Sequence, residues 1–335
     1  MQTREVDAAA VQCLLAAAVA APSIHNTQPW RFGLDPDSGS VKVRADFGRR
    51  LSMTDPDLRA QYLSVGAAVF NLRVAAANLG REPVVRLLPA ADDPGLLAIV
   101  RLAGPAEDGS ASLRRLYEAI ERRHSSRTPF TGRPVPEPIV TDMISAARAE
   151  GAHLEVPDIM GTRRLLRLTQ AGEVRNASHP GRVAEVRGWL TAPGCETGYG
   201  IPVSAVGALD ASGRIPMRDF TGRLPVPHLP ALHFERHAQV ALLWTAWDRR
   251  EDWLRAGQAL QHVLLTATEY GVRTSMLHQA MEWMDLRAAT GGGRQRHCPQ
   301  LLIRFGYGSE GGRTPRATAD VTPRPTPGAE PGSSV

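Results

Sequence analysis

The chain has 335 residues, 43% apolar and 22% charged, with 39 basic against 34 acidic residues and a net charge of +5. That is more chain than one core needs and enough for two, in the proportions of an ordinary globular protein. No run of 18 apolar residues exists, which argues against a membrane-spanning helix. The arginines are scattered among acids without an RNA- or DNA-binding motif, which argues against a nucleic-acid partner.

From the N-terminus, Ala8 to Ala21 is apolar apart from Gln12. It lacks the basic region and cleavage site of a signal peptide, so a cytoplasmic location is expected. The spacing predicts a helix over Val11 to Ala21, with Cys13 as a buried helix residue. Pro22 ends it. The loop that follows reads APSIHNTQPWRF, in which Ser23 and Asn26 are short polar groups suited to bond nearby backbone or a ligand edge. By composition alone it is a helix-exit loop leading to a core tryptophan, Trp30. Arg31 to Arg44 reads as extended and carries Lys42, the only lysine.

Two segments repeat a pattern: SVGAAVFNLRVAAANLG (Ser64 to Gly80) and RAGQALQHVLLTATEYG (Arg255 to Gly271). Both have apolar residues at helical spacing, a glycine in third place (Gly66, Gly257) and a closing glycine (Gly80, Gly271). The early glycines allow close helix approach; the closing ones suit a left-handed cap. Short strands are expected afterwards, over Leu96 to Leu102 and Leu301 to Phe305, each followed by glycine. The helix Val11 to Ala21 has a fainter counterpart in Ile139 to Ala149, before a strand over His153 to Pro157.

A helix over Leu113 to Arg123 runs into ERRHSSRTPF, where Arg122, Arg123, His124 and Arg127 fall within six residues. Such a cluster beside serines suits a phosphate, through forked, charge-assisted hydrogen bonds. A solvated helix end that complements the macrodipole is the plainer reading. The stretch 170–228, with Trp189, reads as an insertion rich in Gly and Pro. Glycines 194, 198 and 200, around Cys195 and Tyr199, make part of it a plausible mobile lid. Cys13, Cys195 and Cys298 form neither a metal pair nor a disulfide framework. His228, His233 and His237 are too loosely spaced for a metal centre. There is no GxGxxG, P-loop or GxSxG motif.

Taken together, APSxxNxQPW and RRxSxR resemble the flavin-binding motifs of the nitroreductase superfamily. The WLTAPGCETGYG and GIPVSAVGAL stretches, and the order of elements over about 8–320, resemble its mycobacterial Acg-type branch. The resemblance implies an α+β, nitroreductase-like fold duplicated within one chain. That would be a pseudo-dimer of two α/β/α halves, 8–110 and 111–321, with the lid insertion at about 170–228 and a disordered tail at 322–335.

The resemblance also implies one FMN per chain. Pro22, Ser23, Asn26 and Gln28 would cover its ring, while Arg122, Arg123, His124, Ser125 and Arg127 would hold its phosphate, ribityl chain and pyrimidine end. YGVRTSM resembles the family turn whose backbone N–H groups approach flavin N5 and O4, which singles out Thr274 and Ser275. GRTPR resembles a late basic segment closing on the phosphate, which singles out Arg313 and Arg316. Lys42 matches no family lysine, so an arginine or His124 would supply charge near N1 and O2. The implied activity is hydride transfer from NADH or NADPH through FMN to a nitroaromatic or quinone, with no side chain named as catalytic. The alternative is a protein that sequesters FMN under a closed lid. It would act as a monomer with an internal pseudo-dimer, or as a dimer of these.

Overall fold

The computed structural model describes residues 7–35, 37–106, 110–192, 197–221, 230–293 and 297–319. In chain order the elements are α1 (Ala8–Val19), β1 (Trp30–Asp35), β2 (Ser40–Ala45), α2 (Arg59–Asn78), β3 (Arg81–Leu87), β4 (Leu96–Pro105), α3 (Ala111–Arg114) and α4 (Tyr117–Arg122). Then follow α5 (Glu137–Ala149), β5 (His153–Glu155), α6 (Ile159–Ser178), α7 (Pro180–Gly188), β6 (Leu190–Thr191), β7 (Ile201–Pro202), β8 (Leu209–Asp210) and β9 (Ala231–Leu232). The chain ends on β10 (Gln239–Thr245), α8 (Arg250–Glu269), β11 (Arg273–Leu277), α9 (Met284–Thr290) and β12 (Cys298–Gly306).

The fold is α+β. Two four-stranded antiparallel sheets run in the orders β1-β2-β4-β3 and β5-β10-β12-β11. Element for element these orders are the same. Helices α2 and α8 lie between the sheets and cross at their paired glycines. A Cβ at Gly66 would fall 2.2 Å from the Leu254 carbonyl oxygen, and one at Gly257 would fall 2.1 Å from that of Leu63. No other residue fits there, because a methyl group cannot share space with a carbonyl. Gly80 (φ +70°) and Gly271 (φ +67°) take the left-handed conformation past the helix ends, as their place after the periodic runs predicts. The cores interlock: Leu254 and Leu265 of α8 join the first half's core, and Leu63 of α2 joins the second's.

Several elements differ from the sequence reading. Arg31 to Arg44 is a hairpin of two strands. The helix expected over Leu113 to Arg123 is two pieces, α3 and α4. Tyr270 to Met276 is a turn only as far as Val272, and from Arg273 it is β11, whose pairing with β12 outweighs local preference. The stretch expected as an insertion at 170–228 falls within the longer segment between β5 and β10, whose first part forms α6 and α7. Cys13 is half-buried, its Sγ 3.1 Å from the Tyr117 hydroxyl. Cys195, Gly194, His228 and the tail 322–335 lie outside the described residues. Among the described residues no helix is long and apolar enough to cross a membrane, and no group of His, Cys, Asp or Glu could hold a metal.

Candidate functional site

The site lies where the halves meet. Its cavity is lined by Pro22 to His25 from the α1 exit, Ser64 of α2, Ser125 to Arg127 after α4, and Ser275 to Gln279 at the end of β11. Leu63, Leu260, Met276 and Leu301 make it apolar; Ile201, Met217, Arg218 and Phe220 come from the insertion. A short parallel bridge, Ser126 N–H to the Thr274 carbonyl at 2.8 Å, joins the arginine segment to β11. So Pro22, Ser23, Ser125, Arg127 and Ser275 are brought to one cavity. Thr274 is buried on the strand behind it. His278 and Gln279, just past the strand, line the cavity and were not anticipated.

Asn26 and Gln28 are placed differently from a ring-contacting role. His25 (φ 49°), Asn26 (φ 55°) and Gln28 (φ 47°) all have left-handed backbone. Such strain persists only where surroundings enforce it. Here the enforcement is a set of hydrogen bonds to remote backbone. The Asn26 amide donates to the carbonyls of Gly200 (2.8 Å) and Pro315 (2.9 Å), and its oxygen accepts from Arg316 Nη1 at 3.0 Å. The Gln28 amide donates to Gly198 O at 2.7 Å, and its oxygen accepts from Ala317 N at 3.2 Å. Both side chains therefore fasten the insertion and the late basic segment over the loop. Gly198 and Gly200, both at φ +75°, are close-packed rather than loose: a Cβ at Gly198 would fall 2.6 Å from Ala317 Cα. Arg49 stacks on Tyr199 with its guanidinium carbon 4.3 Å from the ring centre.

The arginines sort by burial. Arg122 is exposed and pairs with Glu269; Arg313 is exposed and donates to the Glu121 carbonyl. Neither joins the site. Arg123 is buried, and Arg127 and Arg316 are half-buried. Arg123 Nη2 and Arg316 Nη2 both reach the Ala20 carbonyl at the end of α1, at 3.3 and 3.4 Å, where the helix dipole favours cations. Arg127 Nη1 donates to Ala205 O at 3.0 Å. None of the three has a carboxylate partner among the described residues. Nε and Nη1 of Arg123, Nε of Arg316 and Nε2 of His124 are buried with no partner among the described residues. Burial, then the repulsion of Arg316, Arg127 and Arg313, pushes Arg123 down to about 9. Burial pushes Arg127 to about 10 and, with repulsion from Arg127, Arg316 to about 10. Burial also lowers His124, so it tends to neutrality. Buried cations without counter-charge are costly, and a bound anion removes that cost. A phosphate fits this donor set: it accepts several charge-assisted hydrogen bonds at once.

Lys42 stands on β2, with its Nζ 3.9 Å from Asp35, and does not line the cavity. His233 and His237 are exposed.

No family model matches the sequence. Relatives do. A Mycobacterium tuberculosis protein named "Putative NAD(P)H nitroreductase" is 33% identical over 315 residues, spanning 92% of this chain and 88% of that one. A second, named "Putative NAD(P)H nitroreductase acg", is 31% identical over 328 residues, spanning 95% and 94%. Among solved structures, a nitroreductase with bound FMN from Bacteroides fragilis overlaps 66% of this chain and 100% of that one, at 15% identity and a TM-score of 0.37. It is the likeness to the relatives along nearly the full sequence, not this loose overlap, that places the chain.

Proposed function

The chain belongs to the Acg-type branch of the nitroreductase superfamily, and on that premise we propose that it is an FMN-dependent oxidoreductase with one flavin site between its halves. The observation that carries this is the trio of buried Arg123 and half-buried Arg127 and Arg316, without counter-charge among the described residues, beside a largely apolar cavity. The equal strand orders and the glycine crossing of α2 and α8 support reading the chain as an internal pseudo-dimer, which accounts for one site per chain.

In this reading Arg123 and Arg316 would hold the phosphate; His124 donates from Nδ1 to the Arg122 carbonyl, so the neutral ring offers the phosphate no donor at Nε2. Ser23, Ser125 and Ser275 offer hydroxyls along the cavity rim. Leu63, Leu260 and Leu301 receive the apolar ring and exclude water from it. FMN, when bound, supplies hydride acceptance from NAD(P)H and electron delivery to a nitroaromatic or quinone acceptor. Arg127 provides the positive charge near the pyrimidine, since Lys42 is remote and His124 tends to neutrality. Heat release and quantitation test the site: one FMN per chain is expected, and two per chain, FAD, or none after reconstitution refutes it.

A second reading, sequestration under a closed lid, is favoured by the fastening of Gly198 and Gly200 to Gln28 and Asn26. Hydride transfer needs a nicotinamide ring at about 3–3.5 Å from the flavin. Stopped-flow mixing separates the two: slow reduction by NADPH alongside fast bleaching by dithionite supports sequestration, and fast, saturating reduction by NADPH rejects it.

A further inference from the structure

Two side chains on the cavity wall, one from the insertion and one from the loop after α1, have no part in the flavin reading. The first is Arg218. Its Nη2 meets the carboxylate of Glu282, whose side chain is fully buried, while Nε and Nη1 bond to none of the described residues. Glu282 does not belong to Arg218 alone. Arg182 Nη1 reaches it at 3.2 Å, His278 Nδ1 at 3.2 Å and Asn176 Nδ2 at 2.7 Å. The other acid close by is Glu173, whose carboxyl burial pushes up, with Arg218 opposing. Arg218 and Arg182 thus share the ionised Glu282, Glu173 protonates more readily, and Glu185 acts on Arg182 rather than on Arg218.

The second feature is His25, which lines the same cavity. It is buried, its Nε2 has no partner among the described residues, and its ring stands edge-on to Phe220 with centroids 5.7 Å apart. Burial, then Arg218, holds it well below the usual histidine value, so the ring is neutral and can donate one hydrogen bond. An unpartnered polar group in an apolar cavity calls for a ligand atom.

We propose that Arg218 and His25 form a subsite for the carboxylate of a small planar aromatic substrate, its ring seated against Phe220, Met217 and Ile201. One carboxylate oxygen accepts from the free Arg218 N–H groups, and His25 donates to the carboxylate from its side. The subsite deepens the flavoprotein reading by naming the second substrate's class, and it rests on that reading for the identity of the cavity.

The test is calorimetric titration of the full chain as purified, with 4-nitrobenzoate and its uncharged analogue 4-nitrobenzamide. Flavin is counted separately on each sample. The benzoate should bind about tenfold tighter than the amide, the scale of one charge-assisted bond. Arg218→Gln should reduce that preference to about threefold or less, and Arg218→Lys should keep most of it, since a point charge remains. If Arg218→Gln does not fold, the double variant Arg218→Gln/Glu282→Gln leaves an amide that still accepts from Asn176 and leaves Arg182 its bond to Asn176 Oδ1, and should show the same loss. Equal binding of the two probes by the unaltered chain, or a preference that survives loss of the Arg218 charge, overturns the subsite. His25→Phe should weaken benzoate by about fivefold; an unchanged affinity overturns its share. A chain without flavin refutes the proposed function instead, and the preference between probes is still read.

Discussion

The two halves share one architecture and carry unequal chemistry, most visibly where α1 and α5 end. After α1 the chain enters a loop with three left-handed residues, held by carbonyls from residues 198–200 and 315. After α5 it turns through Gly151 (φ +77°) straight into β5, with Ala152 N–H on the Ala147 carbonyl. There Glu150, in place of a ligand-side group, accepts from Arg73 and from His262 Nδ1 at 3.2 Å, welding the halves. Likewise β1 and β2 are joined by a tight hairpin, whereas β5 and β10 are separated by a long segment from which Ile201, Met217, Arg218 and Phe220 line the cavity. The exit after α5 serves as a structural joint, and the strained one after α1 persists because remote bonds hold it.

The first way to break the comparison is at the element the halves hold in common. Gly257→Ala puts a methyl on the Leu63 carbonyl and should cost about 3 kcal/mol. Gly271→Ala, with nothing within 4 Å but a φ of +67°, should cost about 1 kcal/mol. Chemical denaturation reads both, and equal losses would show that the crossing is not close-packed in solution.

Next comes the chemistry lodged around the first half's exit. Arg123→Ala should weaken FMN roughly tenfold or more, as loss of a charged hydrogen bond does, and riboflavin much less. Arg122→Ala, one residue earlier but exposed, should leave FMN within about twofold, since surface ion pairs contribute little. Fluorescence titration measures both, and similar losses for the two arginines would dissolve the sorting by burial.

The second half's joint predicts a pH effect. Burial pushes Glu150 up, but the bonds from His262 and Arg73 outweigh it and hold its carboxyl below the ordinary value of 4.5. Because the folded value is the lower one, the joint stabilises the fold above about pH 4.5, and that stability is lost as pH falls through the folded value. Glu150→Gln should therefore cost about 1 kcal/mol at pH 7 and progressively less below pH 4.5. A cost that does not change with pH would show that the charge has no part.

The smallest expected effect is on the loop's fastening. Asn26→Ala or Gln28→Ala should speed reduction by NADPH about threefold by loosening residues 198–200. An unchanged rate would mean that these bonds shape the loop without gating the cavity.

What the sequence determined by itself was local. Helix periodicity marked α1, α2, α5 and α8, and the closing glycines marked left-handed turns, because a residue's own backbone freedom settles these. The pairing of Gly66 with Gly257 was visible too, since both helices carry the same pattern, and the two motifs pointed to the cavity. What the tertiary structure decided was everything set by distant neighbours. Arg122 and Arg123 are adjacent cations of one type, yet one faces Glu269 in water and the other lies under α1 without a counter-charge. Asn26 and Gln28 bond to backbone carbonyls, which carry no residue identity and so leave no trace in a motif. Residues 273–277 become a strand because β12 offers them a ladder, and Arg218 reaches the cavity only because the insertion folds back over it. Burial and long-range pairing belong to the assembled chain, and no window of sequence contains them.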